Sequence, residues 1–142
     1  MKKEYEELKL KNQLCFPLYA ASNAIIRKYK PYLDEIGLTY TQYITMMVLW
    51  ENDDATLKDL EKCLKLGCGT LTPVLQKLEA KGYIEKYFLE EDQRVIIAMP
   101  TEEGEALAEK AKEIPKKIAK DFKLEEKEAK ELYRILYKII ES

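Results

Sequence analysis

Apolar residues recur at helical spacing through most of this 142-residue chain. In the first segment they recur every three or four residues, which predicts a helix that begins at about residue 8 or 16 and ends at 35. Gly37 then terminates it. Pro17 fits either start, as a first-turn proline or as a kink in a longer helix. The apolar positions of this helix are Leu14, Leu18, Ala21, Ile25, Ile26, Tyr29 and Leu33.

Two short helices are predicted next. The segment TYTQYITMMVLWEN indicates a buried helix that begins after a Thr39 cap, and ATLKDLEKCLKL indicates another from Ala55. Cys63 lies near the inner face of the second helix, which predicts a small buried hydrophobic residue. That inner face is formed by Leu57, Leu60 and Leu64. The tight glycine turn LGCG leads into a further helix, the order of a helix-turn-helix unit.

The helix after this turn separates apolar from polar side chains. A cap at Thr70 would place Pro73 in the first turn, where proline is tolerated, and Gly82 would close the helix. Its apolar face consists of Leu71, Val74, Leu75 and Leu78. Its polar face consists of Thr70, Thr72, Gln76 and Lys77.

A hairpin and two more helices complete the predicted order. The run YIEKYFLEEDQRVIIAMP holds two β-rich stretches around a polar tip, which is typical of a hairpin. Thr101 caps the next helix, which Pro115 is expected to bend. The last helix carries an apolar stripe wide enough to require a second chain as its cover. The stripe consists of Leu132, Ile135, Leu136, Ile139 and Ile140.

This order predicts a mainly α fold with a small β-hairpin wing, a winged helix-turn-helix flanked by N- and C-terminal dimerisation helices. Residues 1–36 would form the N-terminal helix of the dimerisation region, and residues 37–100 the DNA-binding region. Residues 101–142 would form the C-terminal dimerisation helices. All three parts would belong to one intertwined domain.

Composition narrows the class of function. The chain has no histidine, which removes Ser-His and Cys-His nucleophiles, and its five glycines form no phosphate-binding loop. These absences argue against an enzyme and against a bound cofactor. Cys63 and Cys68 alone supply too few ligands for a metal site. The charged start and the lack of any run of roughly 18 apolar residues predict a cytoplasmic protein without a membrane span.

Three stretches resemble the MarR family of dimeric transcription regulators. They are LCFPLYAASNAIIRKYKPYLDEIGLTYTQY, GTLTPVLQKLEAKGYI and EEDQRVIIAMPTEEG. The second and third match a recognition helix and a wing with a D-x-R tip, here Asp92 and Arg94. The first is similar to the organic hydroperoxide-sensing, OhrR-like branch, which also includes regulators like MgrA and SarZ.

The resemblance implies a homodimer that binds a pseudo-palindromic operator in double-stranded DNA. In that branch an organic hydroperoxide oxidises one N-terminal cysteine to a sulfenic acid, and the dimer then releases its operator. Cys15 stands at the matching position. The branch also has tyrosines at the positions of Tyr29 and Tyr40, which hydrogen-bond the thiol from the other subunit, and Tyr19 matches too.

The residues themselves are compatible with this chemistry. Only a thiolate attacks peroxide fast, and with no histidine available, a helix N-terminus and phenolic hydroxyls are the groups left to stabilise it. Cys15 and Tyr29 share a helix face but would lie about 21 Å apart along it. They can meet only between two antiparallel copies of the helix, in an isologous contact.

The predicted DNA-binding region offers polar contacts but no excess of positive charge. Thr70, Thr72, Gln76 and Lys77 offer contacts to bases and phosphates, and Arg94, held by Asp92, suits a narrow minor groove. The chain carries 24 basic and 26 acidic residues, a net charge of −2. From residue 55 to 99 seven basic residues face seven acidic ones. A DNA-binding surface must therefore be a local patch with salt-dependent affinity.

Other functions stay open at this point. A small apolar or phenolic ligand could switch the regulator from a cleft, with Cys15 incidental. The chain could also be an antirepressor that no longer binds DNA, or a thiol peroxidase recycled by a second thiol.

Overall fold

The computed structural model describes residues 3–142. Two single 3₁₀ turns precede seven helices and three strands, which confirms the mainly α fold with a β wing. The helices are α1 (Cys15–Ile36), α2 (Tyr40–Asn52), α3 (Leu57–Leu64), α4 (Cys68–Ala80), α5 (Glu102–Ala111), α6 (Ile114–Asp121) and α7 (Glu126–Ile140). The strands are β1 (Ala55–Thr56), β2 (Ile84–Phe88) and β3 (Ile96–Pro100).

The start of α1 separates the two interpretations of Pro17. The helix begins at Cys15, so this proline lies in its first turn, where no intrahelical N–H bond is lost. The residues from Glu6 to Asn12 form the 3₁₀ turns and do not extend α1. Gly37 ends the helix in the left-handed conformation, with φ of 69°, a conformation that costs glycine little.

The sheet is antiparallel in the order β1-β3-β2. The predicted hairpin is confirmed, with Tyr87 opposite Ile97 in its register. Strand β1 was not predicted, because two residues are too short to show an alternating pattern. It pairs Ala55 with Ala98, and Thr56 then serves as the cap of α3.

Three local predictions around the helix-turn-helix are wrong. Helix α4 begins at Cys68 after a Gly67 cap, so Thr70 is not the cap and Pro73 lies inside the helix, at an exposed position. Cys63 is exposed rather than buried. It sits at the rim of the inner face, because each residue rotates a helix by about 100° and Leu60 fills the buried position.

The prediction for Pro115 is also wrong. It does not bend one helix; the chain instead forms two helices, with Pro115 in the first turn of α6. A proline cannot donate a backbone hydrogen bond inside a helix, whereas the first turn does not require one.

The core lies beneath α1, α2, α3, α4 and the sheet. Its largest fully buried apolar side chains are Leu33, Met46, Leu49, Leu60, Leu71, Leu78 and Ile84. Helix α5 approaches this body closely at Gly104, where a β-carbon would lie 2.0 Å from the Tyr83 carbonyl oxygen. Trp50 Nε1 donates to the Gly104 carbonyl at 2.8 Å. The absence of a side chain at Gly104 therefore permits this packing.

The chain forms two compact units, one ending at Lys112 and the other covering Glu113–Ser142. Within Glu126–Ile140 no residue is buried, and Leu132, Ile135, Ile139 and Ile140 are each exposed by at least 41%. These four side chains of the predicted stripe are exposed, and its cover by a second chain stays a prediction. The three-part division at residues 36 and 100 stays a prediction. In the described part of the chain, no helix is both long and apolar enough to cross a bilayer.

Candidate redox site and nucleic-acid interface

Cys15 occupies the first position of α1 and its thiol is exposed. The preceding residue, Leu14, offers no side-chain cap, and the first turn carries no acidic residue. The partial positive charge of a helix N-terminus is therefore not neutralised locally by a carboxylate.

Three tyrosine rings form one cluster between α1 and α2. The ring centroids of Tyr29 and Tyr40 lie 5.0 Å apart in an edge-to-face arrangement. Tyr43 contacts both, at 5.9 Å from Tyr29 and 6.3 Å from Tyr40. Tyr43 is only 3% exposed, whereas Tyr29 and Tyr40 are partly accessible.

The pKa values of the three phenols lie above their ordinary value. Burial raises the pKa of Tyr29 and of Tyr40, and the proximity of Tyr40 adds to the effect at Tyr29. Burial, with contributions from Tyr29 and Tyr40, raises the pKa of Tyr43 to about 12. All three hydroxyls therefore carry protons at neutral pH, and the accessible ones are available as hydrogen-bond donors.

The structure brings only part of the predicted redox set together. Tyr29 and Tyr40 meet, while α1 is continuous between Cys15 and Tyr29 and separates them by about 21 Å. Tyr19 lies one turn from Cys15, is 66% exposed and takes no part in the cluster. Tyr43 was missed by sequence reasoning. Its spacing of three residues from Tyr40, on the same face of α2, is the signal that points to it.

The N-terminus of α2 holds Tyr40 in place. The Thr39 side chain accepts from the Gln42 backbone N–H, and Gln42 Oε1 accepts from the Thr39 backbone N–H at 3.1 Å. This reciprocal capping box confirms the predicted Thr39 cap. The helix start on which Tyr40 sits is thus fixed by two hydrogen bonds.

A cavity of about 220 Å³ opens beside Tyr40. It lies between the second half of α1 and the start of α2, and Lys30 at its wall pairs with Asp34 at 3.0 Å. Its lining is Ile26, Arg27, Lys30, Leu33, Asp34, Leu38, Thr39 and Tyr40. A volume of this size admits a small molecule with an apolar body.

Helix α4 presents the predicted polar face to solvent. Thr70, Thr72, Gln76 and Lys77 are all exposed, and the apolar residues of the opposite face are buried as expected. Two exposed threonines, an amide and an ammonium group are able to contact base edges and phosphates.

The wing carries an ion pair at its tip. Arg94 Nε donates to Asp92 Oδ1 at 3.1 Å, and the Arg94 backbone N–H donates to the same oxygen at 3.0 Å. Hydrogen bonds from Arg94 hold the pKa of Asp92 below its usual range. The Arg94 side chain is 92% exposed, so it is oriented by Asp92 and still accessible.

No metal site accompanies these features in residues 3–142, where His, Cys, Asp and Glu side chains form no group of three suited to a metal ion. Cys63 and Cys68 are free and exposed like Cys15. Exposure alone therefore does not distinguish the three thiols.

Comparison with known proteins decides the family. Residues 27–114 match the family model described as transcriptional regulator SarA/Rot. The chain is 40% identical over 142 residues to the organic hydroperoxide resistance transcriptional regulator of Bacillus subtilis strain 168. This match covers 100% of this chain and 97% of that protein. The chain belongs to the MarR family of transcriptional regulators, in its OhrR-like branch.

Two further relatives agree with this membership. The regulator SarZ of Staphylococcus aureus strain USA300 is 40% identical over 123 residues, which cover 87% of this chain and 83% of SarZ. The structure of reduced AbfR bound to DNA matches with a TM-score of 0.79 and 32% identity, over 96% of this chain and 95% of AbfR. The family predicted from the sequence is thus confirmed, and this MarR-family chain matches 97% of the Bacillus regulator and 95% of AbfR.

Proposed function

We propose that this protein is a homodimeric, DNA-binding transcriptional regulator, a repressor in its reduced form, which releases its operator when an organic hydroperoxide oxidises Cys15. Its relatives include a regulator of organic hydroperoxide resistance and a protein solved on DNA in its reduced state. It would act in the cytoplasm, where its DNA is. The uncovered apolar stripe of α7 supports dimer formation.

One observation carries the redox part of this proposal. The thiol lies at the first residue of α1, and a neutral, partly accessible phenol, Tyr29, lies on the same helix about 21 Å away, where it contacts Tyr40 of α2. An antiparallel second copy of α1 would place each Cys15 beside Tyr29 and Tyr40 of the other subunit. Tyr19, one turn from Cys15, would complete the surroundings of the sulfur.

The chemistry needs no cofactor. The Cys15 thiolate attacks the terminal oxygen of the hydroperoxide, so that an S–O bond forms while the O–O bond breaks. The alkoxide leaves and takes a proton to become the alcohol. Sulfur is oxidised by two electrons to a sulfenic acid and the peroxide is reduced by two. The phenols and the N-terminus of α1 stabilise the attacking anion.

The C-terminal helices contain no cysteine, because the chain's only other cysteines are Cys63 and Cys68. The sulfenic acid of Cys15 would therefore find no thiol there with which to form a disulfide. A small thiol would therefore cap Cys15, or further peroxide would oxidise it to the sulfinic acid. A subunit whose Cys15 is capped would reduce no more peroxide until the cap is removed. This limit distinguishes a sensor from a peroxidase, which turns over continuously.

On DNA, α4 would enter the major groove with Thr70, Thr72, Gln76 and Lys77, and the wing would place Arg94 in the minor groove with Asp92 orienting it. The balance of seven basic and seven acidic residues from 55 to 99 leaves few phosphate contacts in excess. Because phosphate contacts supply much of the affinity for DNA, binding would be weak and would weaken further as salt rises.

The test is selective oxidation. Reduced protein is treated with about one equivalent of cumene hydroperoxide, a stoichiometric amount for a single sensing thiol, and the sulfenic acid is trapped and mapped by peptide mass spectrometry. We expect rapid modification of Cys15 over Cys63 and Cys68, and release of an operator fragment. A Cys15→Ser protein that still releases DNA, while Cys63→Ser and Cys68→Ser behave as wild type, would refute the proposal.

A second candidate is a regulator switched by a small apolar or phenolic ligand, with Cys15 incidental. The cavity of about 220 Å³ beside Tyr40 favours it. Calorimetric binding of salicylate or a similar phenol, together with DNA release in the Cys15→Ser protein, would support this function. Peroxide consumption well beyond one equivalent per subunit would instead indicate a thiol peroxidase.

A further inference from the structure

The tyrosine cluster contains one member with no part in the chemistry above. Tyr43 lies on α2, three residues after Tyr40, and its side chain is 3% exposed. Its ring contacts the rings of both Tyr29 and Tyr40. Tyr29 and Tyr40 are themselves partly open to solvent, so Tyr43 is the buried ring against which the two accessible phenols pack.

Ring contacts of this kind constrain direction as well as distance. The edge of one aromatic ring prefers the face of another, and offset or edge-to-face geometries at these centroid distances are favoured over others. A single buried ring that contacts two others therefore restricts both of their side-chain rotations. An aliphatic residue of similar size would fill space but would not impose these orientations.

Tyr43 also joins two helices. Tyr29 belongs to α1, whereas Tyr40 and Tyr43 belong to the first turns of α2, whose start is fixed by the Thr39 and Gln42 capping box. Tyr43 thus packs the Tyr29 ring of α1 against the hydrogen-bonded start of α2. Because its own hydroxyl stays protonated well beyond neutral pH, it adds no negative charge to the cluster.

We infer that Tyr43 is a positioning residue for the redox site: it holds the Tyr29 and Tyr40 phenols at the orientation in which they hydrogen-bond the Cys15 sulfur of the second subunit. Tyr43 does not touch the sulfur. The inference rests on the proposed function and assigns to the ring of Tyr43, rather than to its hydroxyl, control over how readily Cys15 reacts.

The test compares Tyr43→Phe, which keeps the ring, with Tyr43→Leu, which removes it. In Tyr43→Leu we expect the Cys15 rate with cumene hydroperoxide at pH 7 to fall by about tenfold, because misplaced catalytic contacts lose rate steeply. The pH profile of Cys15 alkylation should also move upward by about one unit. Tyr43→Phe should stay within about twofold of wild type, because its ring contacts remain.

Leu60→Ala is the matched control, since it truncates a fully buried side chain in α3, a helix that carries none of the three tyrosines. It should lower stability without moving the Cys15 pH profile. Tyr43→Met serves if Tyr43→Leu does not fold, because its flexible side chain adapts to an irregular space and also lacks the ring.

The outcomes separate this inference from the proposed function. Unselective oxidation of wild-type protein refutes both. Selective Cys15 oxidation with an unchanged profile in folded Tyr43→Leu or Tyr43→Met overturns the positioning role alone. A loss in Tyr43→Phe as large as in Tyr43→Leu also overturns it, because the hydroxyl rather than the ring would then be responsible.

Discussion

Lys81 Nζ donates a hydrogen bond to Gln42 Oε1 at 3.0 Å, although the two residues are 39 positions apart. Gln42 is 2% exposed, and the same oxygen accepts from Thr39 at the start of α2. Lys81 also donates to the Gly37 carbonyl at the end of α1. Lys81 directly follows α4, so one ammonium group connects the ends of α1 and α4 with the helix start that carries Tyr40.

Replacing this ammonium group should cost stability. In Lys81→Met the Gly37 carbonyl and one lone pair of Gln42 lose their donor, and we expect the free energy of unfolding to fall by about 1–2 kcal/mol. Urea denaturation followed by circular dichroism, at fixed protomer concentration, measures this. Lys28→Met, at an exposed position of α1, should change it by less than about 0.5 kcal/mol. Equal effects would show that the bridge contributes nothing.

The contribution of two subunits to each redox site can be tested with mixed dimers. One mixed dimer combines a Cys15→Ser chain with a Tyr29→Phe, Tyr40→Phe chain and retains one complete site if the site forms between subunits. The other combines wild type with a chain that carries all three changes and retains none. We expect rapid oxidation of Cys15 only in the first. Rapid oxidation only in the second would mean that Cys15 uses tyrosines of its own chain.

The wing arginine should affect DNA affinity in a salt-dependent way. Arg94→Ala removes one exposed cation, so the slope of log affinity against log salt should decrease by about one, with weaker binding at every salt concentration. Fluorescence anisotropy with an operator fragment measures both. Glu91→Gln, on the same exposed tip, should strengthen binding because it removes a repulsive charge. An unchanged slope in Arg94→Ala would place the wing away from the DNA.

The burial of Tyr43 should make the free energy of unfolding depend on pH in the alkaline range. Its pKa is raised from 10.0 to about 12 in the folded chain, so the unfolded chain loses this proton first. The resulting stability is complete below pH 10 and is lost as pH rises through 12; with solvent screening it is of the order of 1 kcal/mol. The decline between pH 10 and 12 should be shallower in Tyr43→Phe. Leu60→Ala should lower stability with an unchanged slope.

Short-range signals account for most of what could be predicted. Thr39 and Thr101 are caps where their sequences indicated, Gly37 and Gly82 close helices, and the hairpin forms around its polar tip. These features depend on hydrogen bonds and backbone preferences within a few residues. The wrong predictions at Thr70 and Pro115 concern where a helix begins. The wrong prediction at Cys63 concerns whether a residue at the rim of a buried helix face is exposed. There, neighbouring segments compete and the local pattern is ambiguous.

The sequence by itself determined most of the helices, the wing and the family, because periodicity, caps and quoted motifs are local. The tertiary structure decided which distant groups meet. It paired β1 with β3, brought Tyr43 beneath Tyr29 and Tyr40, and joined Lys81 to Gln42. Such contacts depend on how packed helices orient one another, and no spacing along the chain encodes that geometry.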